Sequence, residues 1–451
     1  MRSYLNWAGA DANPSCISRE EFEAEVRSES ELMPTMMKTS AGRRRLIAAF
    51  LIAMAIADGI EIWKQRARIV AGYGDFSALY TAASLLRGGK GKSLYDLREQ
   101  WMEQQKFAPN VAIRQGPLPY MRPPFEALYF LPFALFSYPT ALAVWSGIKL
   151  VLLWLTVRML PRPDPFGRIY PVWLEATLCL GLFPVFLDLI QGQDAILLLF
   201  LVTATLNRMY WRQDAAAGAI LALGLFKFHL VAPIVVMIWL AGRARVLLGF
   251  LPGAAALVTI SCAISGVSVL STYPAYVLKL NRATGVGVIA AQTMPNLRGL
   301  LTEFLGHQLG GPILWLLLFA ALAAVLLTAW IWRPLINTGF TGLAPGYCLA
   351  LLSAILTSFY AYSYDMTMLI VPLLLLGGRF WDQPDLTTRL RRLIATALLM
   401  LICTPLYWEL IRGDYRCLLA IPMLLLALGI AKAMRSWSAT SGIALPVTVT
   451  M

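Results

Sequence analysis

Charged and chelating side chains are scarce in this chain. Only 14% of its 451 residues are charged and 58% are hydrophobic, whereas an ordinary soluble domain carries about 25% charged residues. The two histidines, His229 and His307, stand far apart with no cysteine or carboxylate cluster beside them, so the donor set of a zinc site is missing. The six cysteines (Cys16, Cys179, Cys262, Cys348, Cys403 and Cys417) form no CxxC pair. Most lie in apolar runs, where cysteine behaves as a small buried hydrophobe. No Walker A sequence and no GxGxxG after a strand occurs, which removes the support for nucleotide-driven transport and dinucleotide chemistry. The first forty residues are polar and mixed in charge, with Glu20-Glu21, Glu29 and Glu31, unlike the basic-then-apolar pattern of a cleaved signal peptide.

What fills the chain instead is a succession of apolar runs. Arg43-Arg44-Arg45 precedes the first, Leu46–Ala57, in the pattern of an uncleaved anchor with its N-terminus inside. Further runs are Phe125–Leu160, Val172–Ile190, Ala195–Tyr210, Ala215–Leu240, Val246–Ile264, Ile313–Trp332, Leu343–Phe359, Thr367–Leu376, Leu393–Leu410 and Cys417–Ala433. A span needs roughly 20 apolar residues, so these amount to about ten to twelve spans, some short or tilted. The expected fold class is an all-α polytopic membrane protein, since helices satisfy their own backbone hydrogen bonds in lipid. Phe125–Leu160 is too long for one span and carries Pro132 and Pro139. It reads as a re-entrant or interfacial piece followed by a span, or as a tight hairpin. The expected organisation is a cytoplasmic, disordered tail over 1–42, a membrane domain over 43–435 with a hydrophilic loop over 61–124, and a cytoplasmic tail over 436–451.

The net charge of +13 is scattered over membrane-flanking loops rather than massed in one patch, which argues against a nucleic-acid partner. Basic flanks instead set orientation. Arg158, Arg162 and Arg168 make one basic loop, Arg208 and Arg212 a second, and Arg243 and Arg245 a third. Arg333, then Arg379 with Arg389, Arg391 and Arg392, then Lys432 with Arg435, complete the set. Placing these inside leaves four segments outside: the Asp75 loop, Gln191–Asp194, the stretch 266–310, and Tyr360–Asp365. The scheme requires Ala215–Leu240 to re-enter, breaking near Lys227-Phe228-His229 ahead of Pro233.

The polar residues on that outer side are the candidates for chemistry. Asp75, in Gly72-Tyr73-Gly74-Asp75-Phe76-Ser77, either caps the helix that follows or serves as a general base within reach of a hydroxyl proton. Gly72 and Gly74 permit a close backbone approach there. Tyr120 and Arg122 open Tyr120-Met121-Arg122-Pro123-Pro124-Phe125, where a guanidinium fork suits phosphate and an interfacial anchor is the plainer reading. Gln191 and Gln193 have amides suited to sugar hydroxyls, or simply make a polar turn. Lys227 and His229 lie inside an apolar run, where an ionisable group is costly and a functional candidate by default; a snorkelling lysine is the alternative. Asn296, Arg298, Tyr364 and Asp365 lie in the outer loops, with Arg298 a further candidate for phosphate.

Four blocks in order carry a family resemblance: GDFSALYTAASLLRGGKGKSLYD, YMRPPFEALYFLPFALF, QGQDAILLLFLVTA with AGAILALGLFKFHLVAPIVV, and SFYAYSYDMTMLIVPLLLL. Together, over about Leu46 to Leu376, they resemble glycosyltransferase family 87, the polyprenyl-phosphate-mannose-dependent mannosyltransferases of the GT-C type. Asp194 stands where the family commonly has Asn, Phe228 where it often has Pro, and Phe359-Tyr360 where some members have Pro-His. The resemblance implies a multi-pass enzyme of the plasma (inner) membrane with its active site on the extracytoplasmic face. Its substrates would be a polyprenyl-phosphate sugar and a glycan or glycolipid acceptor. Asp75 would be the base of an inverting transfer. Arg122, Lys227 and Arg298 would meet the donor phosphate, and Tyr120, Gln191, Gln193, Asn296, Tyr364 and Asp365 the substrates. No cofactor and no metal are expected, since no paired-carboxylate site of hard oxygen ligands is evident. The rival class is a transporter or flippase, which would share the hydropathy and Lys227; such proteins often repeat across two halves, and no repeat is visible.

Overall fold

The computed structural model describes residues 40–111, 116–163, 168, 170–282, 290–305, 310–377 and 387–440. The first 39 residues, His307, Arg379 and residues 441–451 lie outside them. The chain divides into two units, Met1–Phe50 and Leu51–Met451. The first contributes, among the described residues, the opening turns of one helix; the second is described here.

Every regular element among the described residues is helical. Helix α1 (Ser40–Val70) runs well past Ala57. The hydropathy falls at Glu61, but Glu61, Lys64, Gln65 and Arg66 are good helix formers and the helix continues through them. The loop expected over 61–124 therefore begins near residue 71, not 61. It contains α2 (Phe76–Arg87), α3 (Leu97–Phe107) and α4 (Glu126–Phe130), which tightens into a 3₁₀ turn over Leu131–Leu135. Asp96 starts α3 by accepting hydrogen bonds from the backbone of Arg98 (2.8 Å) and Glu99 (3.4 Å), satisfying two of the unpaired donors at the helix start. The run Phe125–Leu160 resolves into this short piece and a separate span, α5 (Tyr138–Met159), whose second residue is Pro139, a position where the missing N–H costs nothing.

The run Val172–Ile190 is broken into α6 (Val172–Leu180) and α7 (Phe183–Gln191), bent by 72°. Helix α8 (Ala195–Tyr210) follows, then α9 (Asp214–Ala222), a 3₁₀ stretch Leu223–Lys227 and α10 (Phe228–Leu240). Beyond lie α11 (Leu247–Ser265), α12 (Val269–Arg282), α13 (Leu297–Leu305), α14 (Gly310–Trp332), α15 (Phe340–Thr357) and α16 (Ile370–Leu376). Helices α17 (Thr388–Ile402) and α18 (Thr404–Arg412), bent by 66°, precede α19 (Ala420–Thr440).

Among the described residues, seven helices are long and apolar enough to cross a membrane, or nine if each bent pair counts as one. This is fewer than the ten to twelve expected. Ala195–Tyr210 and the helix ending at Leu376 are too short, and α8 is instead a core helix, buried along most of its length. By length, Asp214–Leu240 counts as one span of 27 residues, which as a straight helix would be about 40 Å long. Yet Arg243 Nη1 lies 2.8 Å from Asp214 Oδ1, so the two ends meet. The segment rises through α9, turns at Leu223–Lys227 and returns through α10, the re-entry expected from the basic flanks.

The two ends of the bundle differ sharply. At one end the loops after α5, α8, α10 and α14 converge: Asn207 Nδ2 donates to Met159 O (2.7 Å) and Arg212 Nη1 to Asn337 Oδ1 (3.2 Å). Arg162 there pairs with Glu175 at 2.7 Å. The acidic and amide-bearing segments gather at the other end.

Candidate active site

Two glycines let the segment around Asp75 lie against the α7–α8 turn. A side chain at Gly74 would sit 3.0 Å from the carbonyl of Gln191. Gly192, at φ +67°, is in the left-handed region, and a Cβ on it would lie 2.5 Å from that of Phe76, a conformation and a gap that only glycine meets without strain. Trp145 Nε1 clamps the turn by donating to the carbonyls of Gly192 (3.1 Å) and Gln193 (3.3 Å). Asp188 Oδ2 accepts from the backbone of Ala195 (2.8 Å) and Ile196 (3.2 Å). It caps α8 from the preceding helix and is paired with the fully buried Lys149 at 3.0 Å.

Held this way, Gln193 Nε2 donates to Asp75 Oδ2 at 2.7 Å. The half-buried Asp75 makes no capping hydrogen bond to α2, so capping is not what its side chain does. Gln193 Oε1 in turn accepts from Arg122 Nη2 (3.2 Å), which also reaches Asp194 at 3.1 Å. Lys227 Nζ lies 2.6 Å from Asp194 and 2.5 Å from Asp365, and Asp365 Oδ2 accepts from the backbone of Tyr362 at 2.9 Å. One polar chain therefore links the loop before α2, the α7–α8 turn, the re-entrant tip and the segment before α16.

The chain borders a cavity of about 480 Å³. Of the sequence candidates, Asp75, Tyr120, Arg122, Gln191, Gln193, Tyr364 and Asp365 line it, as does His229. His229 Nδ1 is 2.8 Å from Ser358 Oγ. Tyr120 is buried and its hydroxyl donates to Pro123 O (3.0 Å), steadying the Pro123-Pro124 turn into α4. Three candidates stand apart from the cavity lining. Lys227 is fully buried and committed to its two aspartates. Asn296 donates to Ser358 O (2.9 Å) and accepts from Gly299 N (3.0 Å), pinning α13 to the end of α15. Arg298 donates to Phe359 O (2.7 Å) and Asn281 Oδ1 (2.6 Å) and stacks on the Phe359 ring at 4.0 Å. Asn296 and Arg298 thus brace the loop that carries Tyr360–Asp365.

Sequence reasoning passed over Glu126, Lys149, Asp188, Trp408 and Arg416. Glu126 is fully buried against the Asp194 carboxylate, with which it shares a hydrogen bond, and its nearest cation is Arg122 Nε at 3.9 Å. Burial, reinforced by the neighbouring Asp194 carboxylate, pushes its pKa well above the usual range, which favours its neutral form. Burial works against the charge of Asp194 too, but Arg122 and Lys227 outweigh it and hold that carboxyl below the usual range. Burial likewise opposes the charge of Arg122, and the Asp194 carboxylate outweighs it, raising the pKa. Among the described residues, no group of three or more His, Cys, Asp or Glu side chains could hold a metal ion.

A bent and re-entrant helical bundle with a charged cavity at one end, holding a carboxylate beside amides, tyrosines and arginine, describes a membrane-embedded enzyme that handles polar substrates. The family model of glycosyltransferase family 87 matches residues 120–357, more than half of the chain, and the protein belongs to that family. It is a membrane glycosyltransferase. Comparison with curated proteins and with solved structures finds no match. The matched span holds Tyr120, Arg122, Gln191, Gln193, Lys227, Asn296 and Arg298, and stops short of Asp75 on one side and Tyr364-Asp365 on the other.

Proposed function

We propose that the enzyme transfers a sugar, mannose by the family resemblance, from a polyprenyl-phosphate donor to a hydroxyl of an envelope glycan or glycolipid, with inversion. The observation that carries this reading is the placement of Asp75: a carboxylate at the edge of a 480 Å³ cavity, oriented by Gln193 and followed by Arg122. In the reaction the acceptor oxygen forms its bond to the anomeric carbon as its proton passes to Asp75. The bond from that carbon to the phosphate oxygen breaks, and its electron pair leaves with the lipid phosphate. A β-linked donor gives an α-glycoside. Gln191 and Tyr364 supply hydrogen-bonding groups for sugar hydroxyls, Tyr120 and Gln193 shape the site through Pro123 and Asp75, and Arg122 is the one of the three expected phosphate ligands that faces the cavity. Lys227 acts instead by fixing Asp194 and Asp365.

The active site lies, in this reading, on the extracytoplasmic face of the plasma membrane. Support comes from the opposite end, where Arg158, Arg162, Arg208, Arg212, Arg243 and Arg245 gather in the pattern of cytoplasmic loops. The test is to give purified protein labelled polyprenyl-phosphate mannose, nucleotide-linked mannose and a panel of envelope lipids. An α-linked product from the lipid donor alone is the expected result; transfer from the nucleotide sugar only would refute the reading.

A further inference from the structure

Beside Arg122, the cavity is lined by a second arginine from the C-terminal helices, Arg416, which opens the 3₁₀ turn after α18. It lies beyond the residues matched by the family model. The two arginines differ in what already neutralises them. Arg122, 17% exposed, is paired with an Asp194 that is fully buried. In the surrounding cluster Arg122 and Lys227 face Asp194 and Asp365, two charges against two. No positive charge is left over there. Among the described residues Arg416 is paired only with Asp414, Nη2 to Oδ1 at 2.9 Å, and the two side chains are 31% and 63% exposed. Exposed pairs of this kind are worth little and exchange readily. The Nε of Arg416 is buried and makes no hydrogen bond. The cavity-side guanidinium, through its Nη2, is therefore held by nothing stronger than a solvated carboxylate, and a planar fork of this kind suits phosphate oxygens.

Apolar side chains share this side of the cavity. Trp408 and Ile411 of α18 line it with Phe183 and Leu187 of α7, the Phe183 and Trp408 rings packing edge to face at 5.3 Å. A guanidinium beside an aromatic and aliphatic wall suits an amphiphile with a phosphate head.

We propose that Arg416 binds the phosphate of the lipid-linked sugar and takes up the charge that develops on it. This rests on the reading that the donor is a polyprenyl-phosphate sugar. The donor is a phosphodiester with one negative charge; the departing lipid phosphate is a monoester that gains a second as the sugar–oxygen bond breaks. Arg122 contributes a hydrogen bond in a cluster whose buried carboxylates already hold its charge, whereas Arg416 exchanges a solvated carboxylate for the phosphate and so turns its charge to the leaving group.

The test measures binding of polyprenyl phosphate and of uncharged polyprenol to the full-length protein in lipid nanodiscs. Arg416→Gln is expected to weaken polyprenyl phosphate by about tenfold or more, the scale of a lost hydrogen bond to a charged group, and to leave polyprenol unchanged. Asp414→Asn, which frees the guanidinium without touching it, is expected to tighten polyprenyl phosphate by roughly two- to fivefold. Unchanged affinity for polyprenyl phosphate in Arg416→Gln overturns the proposal. If that variant does not fold, Asp414→Asn decides: tighter binding supports the assignment, equal or weaker binding overturns it. Wild-type protein that binds no polyprenyl phosphate at all would sink the lipid-phosphate reading itself, and Arg416 with it.

Discussion

Gln193 and Asp75, 118 residues apart, are joined by a 2.7 Å hydrogen bond from the amide to the carboxylate. The amide also ties back to Arg122 at 3.2 Å, so the orientation of Asp75 depends on the α7–α8 turn. Gln193→Leu should lower kcat by roughly ten- to a hundredfold, the scale of a hydrogen bond to a charged group. Donor affinity should hold. Measured turnover equal to wild type would show that Asp75 needs no such support.

Lys227 is expected to act through folding before it acts on substrate. Lys227→Met leaves Asp194 and Asp365 buried together with one cation fewer, and breaking a buried ion pair typically costs about 3–5 kcal/mol. Thermal unfolding in detergent should show the loss, and Lys227→Met with Asp365→Asn should recover part of it. A Lys227→Met protein of wild-type stability would contradict the ion-pair network.

Glu126 gives a pH prediction. Its folded-state pKa is raised by burial and by Asp194, so above the ordinary glutamate value the folded protein holds a proton that the unfolded chain has released. Stability should fall as pH rises from about 4.3 toward the raised value. Glu126→Gln mimics the neutral acid and should remove that slope, raising Tm at neutral pH. Tm profiles of the two proteins that stay parallel from pH 4 to 8 would show that Glu126 is ionised in the fold.

Orientation is checked by single cysteines in a cysteine-free background. Lys90→Cys, on the exposed turn after α2, should react with an impermeant maleimide in intact cells, and Arg245→Cys, exposed at the basic end, only after lysis. The reverse pattern would put the cavity on the cytoplasmic side.

The helical class and the meeting of the Asp75, Gln191–Asp194 and Tyr364-Asp365 segments at one end were legible, because hydropathy and basic flanks constrain parity. Among the described residues seven to nine spans are counted against the ten to twelve expected, since apolar composition alone does not separate a short core helix such as α8 from a span. Lys227 stood out as a charge in an apolar run, and the same rule applied to Lys149, Asp188 and Glu126 would have marked them too. What no local pattern carried was pairing. Lys227 meets an aspartate 33 positions before it and another 138 after it, and a polar loop residue looks the same whether it braces a turn, as Asn296 and Arg298 do, or faces a cavity.

The central claim is that Asp75 removes the acceptor's proton, and single-turnover transfer from polyprenyl-phosphate mannose by Asp75→Asn tests it most directly. The amide keeps the shape and can hydrogen-bond to Gln193, but it accepts no proton at working pH. The account predicts a rate lower by about 10²–10⁴-fold, the usual scale for a lost general base, with donor binding and Tm preserved. Transfer at a near-wild-type rate would contradict it.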